Sequence, residues 1–245
     1  MKISDYQIIS NKEIAPNVFR MIFSGDVSEI KAPGQFVNLK IDELYLRRPI
    51  SVCDTDGKSL FTIIFKVVGK GTLILSEKKA GSTVEIMTGL GNGYDTSPSG
   101  DFPLLIGGGV GVPPMYLLAK KLISEGRHVS VILGFNKKEE IFCEDEFRSL
   151  GCDVKVTTVD GSYGVRGFVT DALPDNYSYF FCCGPEPMLK AVYKATKTEG
   201  QMSFEKRMGC GFGACMGCSC KTIAGNKRIC KDGPVLKKEE ILWED

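Results

Sequence analysis

Five cysteines lie between residues 210 and 230 of this 245-residue chain, and their spacing constrains its fold more than any other feature. Cys210, Cys215 and Cys218 follow the pattern C-x4-C-x2-C, and Cys230 lies downstream. This is the ligand spacing of a plant-type 2Fe–2S cluster. Four thiolates must converge on one small cluster, so a glycine-rich loop supplies three and a returning segment the fourth. We therefore predict these four residues as cluster ligands, and we interpret Cys220, which lies outside the pattern, as a bystander.

Three other interpretations of the cysteines are weaker. A structural zinc site usually has two separated C-x2-C pairs, and here there is one. A disulfide framework is typical of short secreted chains, whereas this chain is long and its first residues do not resemble a secretion signal. Buried free thiols would not gather in so short a segment.

Composition and charge argue against several classes of function. The formal net charge is +1, and no basic cluster is interleaved with aromatic residues, so we expect neither nucleic acid nor a membrane as a partner. The most apolar run, residues 103–119, is too interrupted by glycines and prolines for a transmembrane helix. The remaining cysteines are scattered, which is typical of a reducing compartment. We expect a soluble, cytoplasmic protein.

Residues 1–97 consist of short strand-like runs separated by turn residues. The clearest runs are 18–23, 36–41, 60–68 and 83–87, which are rich in β-branched and aromatic residues. Several short strands at this spacing predict a small antiparallel β-barrel.

Two motifs in this segment have the chemistry of a phosphate site. Arg48 stands three residues before Ser51, and a guanidinium suits bidentate binding of phosphate. Gly71 and Thr72 precede a helix-like segment, whose free N–H groups attract anions. An exposed basic turn and a glycine turn capped by Thr72 would explain the same residues, so both interpretations stay open.

After residue 97 the pattern changes to alternating strands and helices, which predicts a doubly wound parallel sheet over residues 98–200. Ligands of such sheets bind at the carboxyl ends of the strands. Two motifs lie at such ends, Gly107-Gly108-Gly109-x-Gly111 and Cys183-Gly184-Pro185. The first departs from G-x-G-x-x-G, so a tight turn remains possible, and Cys183 also fits a small buried apolar residue. Residues 201–245 are predicted to form a small cluster domain.

Taken in order, these motifs resemble the ferredoxin reductase superfamily. With the cysteine cluster, the chain resembles the electron transfer subunits of dihydroorotate dehydrogenase B. The resemblance implies an FAD-binding barrel, an NAD-binding α/β domain and a C-terminal 2Fe–2S domain, with Ser51 and Cys183 near the site of hydride transfer and no catalytic residue certain. The residues that it implies for FAD are Arg48, Pro49, Ile50, Ser51, Ile64, Phe65, Lys66, Gly71 and Thr72, and those for NAD are Gly107, Gly108, Gly109, Gly111, Cys183, Gly184, Pro185 and Met188.

The resemblance also implies an activity and a partner. NADH delivers two electrons as hydride and an iron–sulfur cluster accepts one at a time, so FAD is the necessary converter between them. The motifs leave no acid–base site for an organic substrate. The implied partner is an FMN-containing catalytic subunit that oxidises dihydroorotate in pyrimidine synthesis, in a heterotetramer with two copies of each chain. The chain is then an NAD-dependent oxidoreductase subunit, complete only with that partner.

Two other functions and one choice of coenzyme stay open. An NAD(P)H reductase component for an oxygenase or a ferredoxin would share all these motifs. A redox sensor that is not an enzyme would need the cluster alone. NAD is implied by the resemblance, but Lys137 and Lys138 follow a predicted strand and would suit the 2′-phosphate of NADP.

Overall fold

A computed structural model describes residues 1–243, in which the first segment forms a closed six-stranded barrel with strand order β1-β2-β5-β4-β3-β6. Every pairing in the barrel is antiparallel, as the sequence predicted. A helix, α1 (Lys70–Glu77), connects the fifth strand to the sixth. The strands are β1 (Lys2–Ala15), β2 (Val18–Ser24), β3 (Phe36–Leu39), β4 (Arg48–Thr55), β5 (Leu60–Lys66) and β6 (Thr83–Leu90).

Large aromatic side chains fill the barrel. Tyr6, Phe23 and Phe61 are buried, and the ring centroids of the last two lie 5.1 Å apart. Burying side chains of this size contributes about 1.5–3 kcal/mol each, so the barrel has a substantial core of its own.

The second segment forms a parallel sheet of six strands in the order β10-β9-β8-β7-β11-β12. Three helices accompany it, α2 (Val112–Ser124), α3 (Glu144–Ser149) and α4 (Glu186–Ala195). The strands are β7 (Leu104–Gly108), β8 (Ser130–Phe135), β9 (Asp153–Thr158), β10 (Val165–Arg166), β11 (Phe180–Cys183) and β12 (Gly200–Ser203).

Helices cover this sheet on both faces. Leu105 packs in one hydrophobic cluster with Leu118 of α2, whereas Leu104 and Ile106 pack in another with Leu189 of α4. Because successive residues of a strand point to opposite faces, both faces are apolar, as expected of a doubly wound sheet. The predicted fold class is confirmed.

Helix α2 begins at Val112, directly after the glycine motif. Pro113 and Pro114 lie in its first turn, where proline is well tolerated because the N–H groups there have no partner within the helix.

The last segment contains a hairpin of β13 (Ser219–Thr222) and β14 (Gly225–Arg228), followed by β15 (Val235–Lys237). Strand β15 pairs antiparallel with β12 and so becomes the edge of the large sheet. Lys238 then donates from Nζ to the carbonyl of Thr196 at 2.6 Å, next to the end of α4. The end of the chain is thus held to the middle segment, and the predicted domain boundaries at 97/98 and 200/201 stay predictions.

Ion pairs join the barrel to the parallel sheet. Lys120 of α2 contacts Asp54 of β4 at 2.5 Å, and Arg20 of β2 pairs with Glu146 of α3. These contacts hold helices α2 and α3 of the parallel-sheet segment against the barrel. Within residues 1–243, no helix is long and apolar enough to cross a membrane.

Candidate functional site

An open cavity of about 320 Å³ lies between the barrel, the parallel sheet and the start of the cysteine segment; we call it the barrel cavity. Its volume falls in the range of small-molecule sites. Eight of the nine residues implied for FAD line it, namely Arg48, Pro49, Ile50, Ser51, Ile64, Phe65, Lys66 and Thr72.

The ninth, Gly71, does not line the cavity but lies against Arg48, which does. A Cβ atom at Gly71 would collide with the guanidinium of Arg48, so only glycine allows that group to lie against the first turn of α1. Arg48 is held there because its Nη1 donates to the carbonyl of Leu46 at 2.6 Å. The Thr72 hydroxyl accepts the N–H groups of Val68 and Gly69, at 2.9 and 3.3 Å. A guanidinium beside a helix N-terminus fits a phosphate, and therefore fits the pyrophosphate of FAD.

The opposite wall of the barrel cavity includes Cys183. Burial, and to a smaller extent the nearby Glu205 carboxylate, raise the pKa of this thiol to about 12. Cys183 is therefore a neutral thiol at physiological pH, suited to contact and not to nucleophilic attack.

Sequence reasoning missed the part of the wall formed by the last residue of β12 and the segment after it. Ser203, Phe204, Glu205 and Met208 line the cavity. Glu205 is exposed as a residue, because it faces the open cavity. Its carboxyl group is nevertheless partly surrounded by protein atoms, and this burial raises the pKa of the carboxyl. The position of this segment after a parallel strand was the available signal, but the sequence pattern did not identify β12.

A second cavity, of about 530 Å³, lies at the carboxyl ends of the sheet strands; we call it the glycine-loop cavity. Gly108, Gly109, Pro185 and Met188 line it, four of the eight residues implied for NAD. Residues that the sequence did not single out complete the wall, including Gly134, Asn136, Thr157, Phe168 and Thr170.

The other implied residues lie behind this wall or beside it. A Cβ atom at Gly107, Gly111 or Gly184 would collide with neighbouring atoms, so these glycines permit close packing without facing the cavity. At Gly111 the obstacle is the carbonyl of Cys183, which brings the two loops implied for NAD into direct contact. Cys183 itself lines the barrel cavity and not the glycine-loop cavity.

The two lysines considered for a 2′-phosphate do not line the glycine-loop cavity. Lys138 lies with its Nζ 5.9 Å from the centroid of the Tyr163 ring. A carboxylate stands at the cavity wall instead, because Glu140 lines it and accepts a hydrogen bond from Asn136 Nδ2 at 3.0 Å. Lys66 Nζ lies 4.0 Å from the same carboxylate.

The four predicted ligands lie as two pairs, Cys210 with Cys215 and Cys218 with Cys230. We call residues 210–218, which carry the first three, the cysteine loop. The N–H groups of Ala214 and Cys215 donate to Cys210 Sγ at 3.2 and 3.4 Å. The N–H of Cys230 donates to Cys218 Sγ at 3.4 Å. Within residues 1–243, no three ligating side chains already converge as a metal site, and all ten cysteines are free of disulfides.

The donor set nevertheless fits an iron–sulfur cluster. Three free thiols on the loop and a fourth on the returning segment have the required spacing, and backbone N–H groups donate to their sulfurs, as they do around such clusters. Burial acts to raise the pKa of Cys210, but N–H donors from Cys215, Phe212 and Ala214 outweigh it and lower that pKa to about 6. This thiol therefore ionises readily, as a ligand must.

Asp232 fixes the returning segment that carries Cys230. Arg228 donates from Nε and Nη2 to this carboxylate at 2.8 and 3.0 Å, and from Nη1 to the Gly213 carbonyl at 3.0 Å. The hairpin end is thereby joined to the ligand loop.

Comparisons with known proteins give consistent results. A family model described as the iron–sulfur cluster binding domain of dihydroorotate dehydrogenase B matches residues 205–242. A second, described as an oxidoreductase NAD-binding domain, matches residues 105–194.

Full-length relatives carry the same name. The chain is 43% identical to the dihydroorotate dehydrogenase B (NAD⁺) electron transfer subunit of Fusobacterium nucleatum, over 100% of both chains. It is 42% identical to the subunit of the same name from Bacillus pumilus, over 98% of each chain.

Two solved structures are informative. An NADH-dependent reduced ferredoxin–NADP oxidoreductase chain superposes with a TM-score of 0.88 at 33% identity, covering 97% of this chain and 90% of that one. A phthalate dioxygenase reductase superposes with a TM-score of 0.64 at 20% identity, over 79% and 64% of the two chains, and shows the common fold alone.

Proposed function

This chain belongs to the family of electron transfer subunits of NAD-dependent dihydroorotate dehydrogenase B, and on that premise we propose that its three sites form one electron route. The predicted family and function are confirmed: the chain is an oxidoreductase subunit that transfers electrons between NAD and a catalytic subunit. The proposal concerns which residues form the route.

The observation that carries the proposal is the adjacency of the three sites. The barrel cavity shares Lys66 and Val110 with the glycine-loop cavity. Phe36, also in its wall, belongs to the same hydrophobic cluster as Cys218 and Cys230. The barrel cavity therefore lies between the glycine-loop cavity and the cysteine loop, and this supports assigning it to a two-electron to one-electron converter.

In this arrangement FAD occupies the barrel cavity, NAD the glycine-loop cavity, and a 2Fe–2S cluster the four cysteines Cys210, Cys215, Cys218 and Cys230. Arg48 and the first turn of α1 would hold the FAD pyrophosphate, and Ser51 and Cys183, which both line the cavity, would contact the flavin. When bound, FAD exchanges a hydride with NAD and single electrons with the cluster.

The catalytic partner docks at the cysteine loop. Phe212 and Met216 are 40% and 53% exposed in this loop, and Ile223, in the turn of the β13–β14 hairpin, is 64% exposed. A partner would cover these apolar side chains. We propose that this partner is the FMN-containing subunit that oxidises dihydroorotate, in a cytoplasmic heterotetramer with two copies of each chain.

The purified single chain is expected to oxidise NADH with an artificial dye but to form no orotate from dihydroorotate. The reason is that both cavities are assigned to nucleotides in this proposal, and the sequence motifs leave no acid–base site for that substrate. An anaerobic visible spectrum before and after NADH, with iron and sulfide assays, tests the route. Flavin and cluster bands that both bleach support it, and orotate formation without the partner would contradict it.

A reductase that serves a ferredoxin is the alternative, favoured by the 33% identity to the ferredoxin–NADP oxidoreductase chain. Adding the purified catalytic subunit separates the two functions. Orotate-linked reduction of NAD in the mixture supports the dihydroorotate route, whereas NADH-dependent reduction of ferredoxin without it supports the alternative.

Replacing Glu140 with glutamine is expected to raise the ratio of NADPH to NADH use, in kcat/KM, by about tenfold. A carboxylate in the glycine-loop cavity repels a 2′-phosphate, and a tenfold change corresponds to about 1.4 kcal/mol. Glutamine keeps the shape and the acceptor for Asn136 while removing the charge. Steady-state kinetics with both coenzymes measure the ratio.

Glu139→Gln is the matched control, because Glu139 is exposed and does not line the cavity. It removes the same charge one residue away and should leave the coenzyme ratio unchanged. An equal change in both variants would indicate a general effect of charge and no specific role for Glu140.

A further inference from the structure

A buried amide lies in the barrel strand nearest the cysteine loop. Asn38 of β3 is 1% exposed, and its Oδ1 has no hydrogen-bond partner within residues 1–243. Leaving a buried amide oxygen unpaired is unfavourable, so leucine, which has the same branching and no polar atoms, would suit the barrel better. Barrel stability therefore does not explain asparagine at this position.

The other end of this amide touches the cysteine loop. Asn38 Nδ2 occupies the space that a side chain at Gly211 would need, and a Cβ atom there would collide with it. Gly211 is buried, has a φ of +80° and directly follows Cys210. The amide nitrogen thus packs against the loop one residue from a proposed ligand.

The same strand borders the barrel cavity. Phe36 lies two residues before Asn38, lines that cavity, and belongs to the hydrophobic cluster that contains Cys218 and Cys230. Strand β3 therefore contacts the barrel cavity through Phe36 and the cysteine loop through Asn38.

We propose that Asn38 is a positioning residue that holds the Cys210 end of the loop and turns the positive end of its amide towards it. The inference rests on the proposed function, since it requires the loop to hold an iron–sulfur cluster. A reduced cluster carries one more negative charge than an oxidised one. Positive dipole ends and N–H donors near its sulfurs favour the reduced form and raise the reduction potential. Asn38 thus makes the cluster easier to reduce.

The test compares Asn38→Leu and Asn38→Asp in the full chain. The first removes the amide, and the second keeps its shape but replaces the N–H donor with a negatively charged oxygen. The midpoint potential of the cluster is measured by redox titration followed by electron paramagnetic resonance, with iron and sulfide assayed on each sample. We expect a potential shifted to more negative values in Asn38→Leu, and shifted further in Asn38→Asp.

Asn11→Leu is the matched control. Asn11 donates from Nδ2 to the carbonyls of Ser76 and Lys78, both at 2.9 Å, and so supports the barrel at α1. If Asn38 merely stabilised the barrel, Asn38→Leu and Asn11→Leu would both lower the melting temperature and leave the potential unchanged.

The inference is overturned if Asn38→Asp keeps its full iron content and the cluster potential is unchanged. This result decides the question even if Asn38→Leu loses its cluster. A wild-type chain without iron and sulfide would instead overturn the proposed function. The two failures are therefore distinguishable.

Discussion

Replacing Cys218 with serine is expected to remove the iron–sulfur cluster and to leave flavin bound and reducible by NADH. Cys218 is 2% exposed and accepts the N–H of Cys230, so it joins the loop to the returning segment. A serine hydroxyl is a poor ligand for iron and does not ionise at neutral pH. Losing only a group that hydrogen-bonds to a ligand lowers metal affinity about 10–100-fold, and losing the ligand itself should lower it more. Without the cluster the chain cannot pass electrons on, so we expect electron transfer to the partner subunit to fall at least about 100-fold.

Iron and sulfide content, flavin content and NADH–dye activity measure this result together. Cys220→Ser is the control, since Cys220 lies two residues further along and outside the ligand pattern. It should keep iron, sulfide and electron transfer at the wild-type level. Loss of iron in Cys220→Ser with retention in Cys218→Ser would show that Cys220 is the ligand.

Replacing Gly111 with alanine is expected to lower kcat/KM for NADH by about 100-fold, or about 2.7 kcal/mol. The new methyl group would overlap the carbonyl of Cys183. This carbonyl belongs to the backbone, so it cannot move away by a change of side-chain rotamer. The loops after β7 and β11 must then separate, which moves the wall of the glycine-loop cavity and the Cys183 thiol in the barrel cavity. Stopped-flow reduction of the flavin by NADH measures the effect directly.

Gly151→Ala provides the comparison for this variant. Gly151 lies in the same segment with a φ of +89°, and a Cβ atom there would meet no neighbour. Alanine at this position costs about 1 kcal/mol of backbone strain, so the melting temperature should fall while flavin reduction by NADH stays unchanged. Equal loss of flavin reduction in both variants would mean that Gly111→Ala acts through stability alone.

The local patterns of the sequence predicted most of the architecture. Alternating apolar residues and turns predicted the barrel, and apolar strands alternating with amphipathic helices predicted the parallel sheet. These patterns succeed because a strand or a helix buries residues at a fixed period. They failed for β12 and β15, of four and three residues, which are too short to show a period and are stabilised by pairing with each other.

The candidate site divides in a similar way. Arg48, Thr72 and the glycines after β7 belong to contiguous motifs, so the chemistry of each was apparent from its neighbours in sequence. Glu205 and Glu140 belong to no motif and reach the cavities only because of where their segments fold.

The sequence by itself determined the chemistry of the chain: four thiols at cluster spacing, and two glycine-containing motifs suited to phosphates. Chemistry of this kind depends on residue type and local spacing, which the sequence states directly. The tertiary structure alone decided how these groups meet. It brings Cys183 into the barrel cavity, joins the two cavities at Lys66, and sets Asn38 against Gly211, 173 positions along the chain. Contacts between such distant residues arise from packing of whole elements, and no local pattern encodes them.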